Sequence, residues 1–276
     1  MARLAKSSRR ALLAWLGIVC AAAAPFTHVV AADAKPDWTG VYDLVGDLRF
    51  QGEEFTKGKP RDPVLEKLIA QDNLEGLDAI VTAHLQPWAV ARMHASDSAV
   101  DDLGAICGPT GLFRYPSSAG GLMWLSTPGK EVIAWAYLEA VGVRRIHLDS
   151  KHPRNLLPTW GGHSIGHWEG RTLVVDTIGF NDQSWLQTSM QPHTEALHVV
   201  ERISAIGDGS ILEVRTTVDD RKALTGPYSY TRHFKKTRAD YREIQSQCNR
   251  EPGDQQMWNY MRNGALKKYS GRTPRK

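Results

Sequence analysis

Ile211-Leu212-Glu213-Val214-Arg215-Thr216-Thr217-Val218-Asp219 decides the architecture. In an extended chain Leu212, Val214, Thr216 and Val218 share one face, and Glu213, Arg215, Thr217 and Asp219 share the other. One apolar and one polar side at a period of two describes a sheet strand with a single wet face. Working backwards, Gly207-Asp208-Gly209 joins this strand to another over residues 197–206, which makes a hairpin. Residues 164–168 and 172–180 flank Glu169-Gly170-Arg171, and residues 122–127 and 131–138 flank Pro128-Gly129. Residues 143–149 form a further strand. Downstream, residues 228–236 and 241–248 make a fourth hairpin, and Asp37-Trp38-Thr39-Gly40-Val41-Tyr42 reads as a first strand near the start. So many consecutive strands joined by short turns predict a mostly β, antiparallel, up-and-down barrel, because closure removes the exposed edges.

Residues 57–106 break the pattern. Asp62-Pro63 offers a helix cap followed by proline at the first helical position, and Val64, Leu65, Leu68 and Ile69 follow at helical spacing. Residues 80–93 repeat the pattern around Pro87. This stretch is a helical insertion before the main sheet, suited to a lid or plug. The expected organisation is a signal peptide over 1–32, a first strand region over 33–56, the helical insertion over 57–106, a barrel core over 107–250, and a C-terminal segment with a basic tail over 251–276.

The start of the chain predicts export. Lys6, Arg9 and Arg10 precede an apolar run, residues 12–24, that is too short to span a bilayer, and Val30-Ala31-Ala32 offers small residues for cleavage. The mature chain is then expected in the periplasm or outside the cell by a Sec-type route, with no stable membrane anchor. Ser8-Arg9-Arg10 keeps a twin-arginine route open as the alternative. Residues 1–32 hold four of the 34 basic residues and none of the 30 acidic ones, so the remainder balances. A neutral body lacks the basic footprint that nucleic acid requires. With Cys20 removed, Cys107 and Cys248 remain, and two thiols in an oxidising compartment predict one disulfide.

Three constellations carry chemistry. Gly162-His163-Ser164-Ile165-Gly166 matches the nucleophile-elbow pattern, but a proline-bearing loop precedes it and a hairpin follows it, where an elbow needs strand and then helix. His147, His152, His163 and His167 form one group of imidazoles, and His193 and His198 lie beside Glu195 and Glu201 in a second. Their spacing fits no zinc signature. No cofactor is therefore expected, and a divalent metal on His163, His193 and His198 is the alternative. Asp176 shares a strand face with Val174 and Ile178, and Glu201 shares one with Val199 and Ile203. Each carboxylate must be paired, with Arg144, Arg145 and Arg202 at hand, or carry a raised pKa.

The run Pro158-Thr159-Trp160-Gly161-Gly162-His163-Ser164-Ile165-Gly166-His167-Trp168-Glu169-Gly170, then Thr172-Leu173-Val174-Val175-Asp176-Thr177, resembles a large, mostly uncharacterised family of secreted bacterial proteins. The likeness continues through Phe180-Asn181-Asp182, Trp185-Leu186, residues 192–202, Asp219-Asp220 and Cys248-Asn249. It implies a lipocalin-like barrel with polar groups focused on His163, Asp176, Asn181, His193, Glu195, His198, Glu201 and Arg202. The chain departs from the family pattern at Arg171, usually acidic, and at Thr194, usually Ser. His167, often Arg or Lys in the family, is a poor catalytic candidate.

These readings predict an enzyme of lyase, isomerase or hydratase type, acting on a small, partly apolar molecule in a barrel cavity. His163 and His193 carry protons. Asp176 and Glu201 orient them, and Arg202, His198, Glu195, Asn181, Trp160 and Trp185 hold the substrate. A lipocalin-like binding protein without turnover and a metal-dependent hydrolase are the alternatives.

Overall fold

The computed structural model describes residues 35–45, 63, 67, 74–98, 100–106, 108–113, 122–127, 130–136 and 143–236. The strands are β1 (Gly40–Leu44), β2 (Leu122–Thr127), β3 (Glu131–Ala136), β4 (Val143–Leu148), β5 (His163–Glu169), β6 (Thr172–Ile178), β7 (His198–Ile206), β8 (Ile211–Asp219) and β9 (Tyr228–Lys236). They close into a mostly antiparallel barrel in chain order, with β9 returning to pair β1 through Tyr42 and Lys236. The expected strand over 241–248, both cysteines, the signal segment and the C-terminal tail lie outside the described residues.

One pair departs from the up-and-down rule. β4 and β5 run parallel, with Ile146 opposite Ser164 and Leu148 opposite Gly166. Parallel neighbours cannot share a hairpin, so residues 149–162 must travel the length of the wall before β5 begins. The turn-off is made at Asp149, which has φ 49°. The return ends at Gly162, where φ is +67° and an added Cβ would lie 2.9 Å from the Ile178 carbonyl oxygen. This crossover reaches the outer face of β5 and β6, where His152 bonds His163 and Asp176.

The alternation of β8 holds throughout, with Leu212, Val214, Thr216 and Val218 buried and facing in. One end of the barrel is apolar and full. Tyr42, Leu44, Trp124, Ile146, Leu173, Val175, Ile203, Leu212 and Phe234 pack there, with Trp38 against Trp124 and Trp168. Gly166 admits Ile146 to this layer, since a Cβ would meet the Ile146 methyl at 2.9 Å.

The helical insertion covers the other end. In α1 (Leu74–Ala83), Leu77 and Val81 are one turn apart, and α2 (Pro87–Ala95) adds Ala89. Together with Leu85 they pack on Leu186, Leu197, Val199, Val218, Leu224 and Tyr228. Burying each large apolar side chain contributes about 1.5–3 kcal/mol. Polar latches fix the register: Trp88 Nε1 donates to the Lys222 carbonyl at 2.7 Å, and Gln86 Nε2 to that of Leu224 at 3.0 Å. The long β6–β7 connection, residues 179–197, is the third layer of this cap.

Candidate functional site

The barrel wall sorts the polar residues onto two faces. Inward, Arg144 from β4 hydrogen-bonds Glu201 from β7 through both terminal nitrogens, with Nη1 at 3.2 Å from Oε1. Its Nε donates to Ser164 Oγ at 3.1 Å, and Nη2 also donates to Thr177 Oγ1 at 3.0 Å. Only 11% of the Arg144 side chain and 10% of the Glu201 side chain is exposed. Ser164 is thus a strand residue, 2% exposed and already bonded to Thr177 and Arg144. It is not a nucleophile on a turn.

Outward, imidazoles and one carboxylate form a chain. Asp176 Oδ1 accepts from His152 Nε2 at 2.9 Å, and Oδ2 accepts from His198 Nε2 at 2.8 Å. His152 Nδ1 meets His163 Nδ1 at 2.9 Å. His147 lies flat against the other side of the His163 ring, with centroids 5.1 Å apart and planes at 17°. Burial alone would push the Asp176 carboxyl up. The hydrogen bonds from His198 and His152 more than offset this and hold it below its ordinary value. The ionised carboxylate only accepts, so His152 donates to it from Nε2, and with that as its single ring proton its Nδ1 accepts. His163 must then donate from Nδ1, which leaves its Nε2 as a bare base. Desolvation lowers the His163 pKa, and the repulsion that a proton on His152 or His147 would exert lowers it further. At neutral pH this ring is an unprotonated imidazole.

His163 lines an open cleft of about 330 Å³ at the rim of the wall between β4 and β5. Arg144 and Ser164 reach it from inside the barrel, and Arg145, His147 and His163 from outside. Trp160, Leu112, Pro109 and Val143 supply apolar surface. Arg145 stands one step before Ile146 in the parallel register and is therefore the neighbour of His163 on the outer face. Its carboxylate contact, Glu131, is 4.0 Å away and its side chain is 62% exposed.

The expected single hollow is corrected by this arrangement. Val175 is opposite Glu201, and Asp176 is opposite Val200, so the two carboxylates point to opposite sides of the wall. Glu201 is paired by Arg144 from inside. Arg202 points out, where it donates to Glu169 at 2.7 Å. His193 is neither inside the barrel nor beside His163. It is buried in the cap, with Nε2 against Ser184 Oγ at 2.9 Å, Nδ1 against the Thr194 carbonyl at 3.2 Å, and its edge toward Phe180. Desolvation lowers its pKa.

Asn181 and Trp185 are also cap residues. Asn181 Oδ1 accepts from the Gln183 amide, and Trp185 Nε1 donates to the Asp101 carbonyl. Glu195 sits half-buried in the same connection, and of the expected substrate-binding indoles only Trp160 reaches the cleft. The alternative metal ligands His163, His193 and His198 do not converge. Among the described residues no group of three or more His, Cys, Asp or Glu side chains is placed to hold a metal ion. Conversely, the structure recruits His147, His152 and Arg145. Their sequence signal was the density of imidazoles between 147 and 167, but only the parallel crossover makes them neighbours.

No family model matches the chain, and no curated protein or solved structure matches it.

Proposed function

We propose that this chain is an enzyme of lyase or isomerase type that removes a proton from carbon beside a carbonyl group, acting at the β4–β5 cleft. The observation that carries this reading is the relay Asp176–His152–His163, which ends in a bare imidazole nitrogen on a residue that lines the cleft. His163 Nε2 takes the proton. The resulting imidazolium shares its remaining N–H with His152, which Asp176 orients and stabilises. Arg145, adjacent on the same face, balances the negative charge that develops on the substrate oxygen. Trp160 and Leu112 suit a small, partly apolar substrate. The same proposal takes the chain as exported and as a member of the secreted family that its motifs resemble.

The test needs no prior substrate. A panel of small ketones, oxo-acids and enoic acids is incubated with the full chain in D2O, and deuterium wash-in is read by mass spectrometry. The expected result is incorporation into at least one compound that His163→Ala abolishes while the melting temperature stays within about 3 °C. Wash-in that persists in the variant, or none across the panel, overturns the reading.

A further inference from the structure

Arg232, on β9 inside the barrel, is 3% exposed, yet among the described residues its Nε and Nη1 have no hydrogen-bond partner. Its one bond is long, from Nη2 to Gln187 Oε1 at 3.4 Å, and its guanidinium lies 5.3 Å from the centre of the Tyr230 ring. Because a guanidinium only donates, Gln187 must turn its oxygen toward it. That leaves the Gln187 Nε2 amide buried and unpartnered, as is the Tyr228 hydroxyl, two positions further along the same inward face. These orphaned groups around Arg232 are all able to donate.

The charge is equally one-sided. Among the described side chains on the inward face, Arg144, Arg232 and, at the exposed end of β9, Lys236 are cationic, and Glu201 is the one carboxylate, already engaged by Arg144. A buried guanidinium without a counter-charge is costly. Water would satisfy its hydrogen bonds and leave the charge. A bound anion satisfies both. We propose that the barrel interior is a binding site for a small oxyanion, held by Arg232 with the Gln187 amide and the Tyr228 hydroxyl. The site is separate from the His163 relay, which lies outside the wall, and stands whether or not that relay is catalytic.

The test is a thermal-shift titration of the full chain in an oxyanion-free buffer at constant ionic strength. One arm uses acetate, butyrate and hexanoate, the other phosphate and sulfate. A saturable rise in melting temperature in either arm is expected, and the responding arm identifies the source of the oxyanion. Arg232→Gln should weaken that response about tenfold or more, and Tyr228→Phe several-fold, while His163→Ala keeps the wild-type response. Should Arg232→Gln fail to fold, Tyr228→Phe and Gln187→Ala carry the same comparison. No saturable response below about 10 mM, or an unchanged response in the Tyr228 and Gln187 variants, overturns the proposal.

Discussion

Asp176 and Glu201 stand on paired strands one register step apart, and the wall of the barrel separates them. One closes a relay of imidazoles in partial contact with solvent, and the other neutralises a guanidinium on the inner side of the wall that is 11% exposed. The same chemical group therefore does two jobs, and substitution should tell them apart.

Glu201→Ala removes the counter-charge of Arg144 and leaves a guanidinium buried among Ser164 and Thr177. A loss of about 3–5 kcal/mol is expected by chemical denaturation. The double variant Arg144→Met, Glu201→Leu should recover most of that loss, because no charge then remains uncompensated. Equal instability of single and double variants would show that the pair is not the unit.

Asp176→Asn acts on the outer face, where the carboxylate side chain is 38% exposed. Solvent screening limits its structural cost to about 1 kcal/mol. Its effect on chemistry should be larger, since an amide offers one acceptor where the carboxylate serves both His152 and His198, and an NH2 facing His152 reverses its tautomer. Nitrogen-15 spectra should show His163 losing its preference for the Nδ1–H form, and deuterium wash-in should fall about 100-fold.

Acid should destabilise the fold in two steps. His163 and His193 have pKa values below the ordinary 6.5 in the folded chain. Well above pH 6.5 neither is charged in either state, so their contribution to stability is level. Below it the unfolded chain binds protons first, and stability falls until the folded pKa values are passed. Asp176, lowered from 3.8, adds stability that is present above that value and lost as pH drops through its folded pKa. Unfolding midpoints measured from pH 8 to 3 should show both declines, and His193→Gln should flatten the first.

Asp78 ties α1 to the cap, accepting from Ser189 Oγ at 2.9 Å and from Thr188 Oγ1 and Gln191 Nε2 at 3.1 Å. Asp78→Ala should cost about 1.5–3 kcal/mol. The loss should be local. Amide exchange is expected to rise in α1 and residues 186–191 and stay unchanged in β6–β8.

Much of the barrel was legible because local chemistry reports it. Turn residues in the sequence separate the runs that become β2 and β3, β5 and β6, and β7 and β8, and each of these pairs is antiparallel. The helices around Pro87 were legible for the same reason. The β4–β5 step was not, since nothing in residues 149–162 says that the chain must recross the wall before pairing. The site depended on that step. Without it His152 has no reason to meet His163 or Asp176, and Glu201 and Asp176 look like members of one cluster.

The amino-acid order by itself determined which side chains share a face, because a strand alternates with period two whatever surrounds it. Only the tertiary structure decided which face is inside, which strand lies beside which, and so which charges meet. Sidedness and register depend on how distant segments pack to bury apolar surface and satisfy backbone hydrogen bonds, and no local run of residues carries that information.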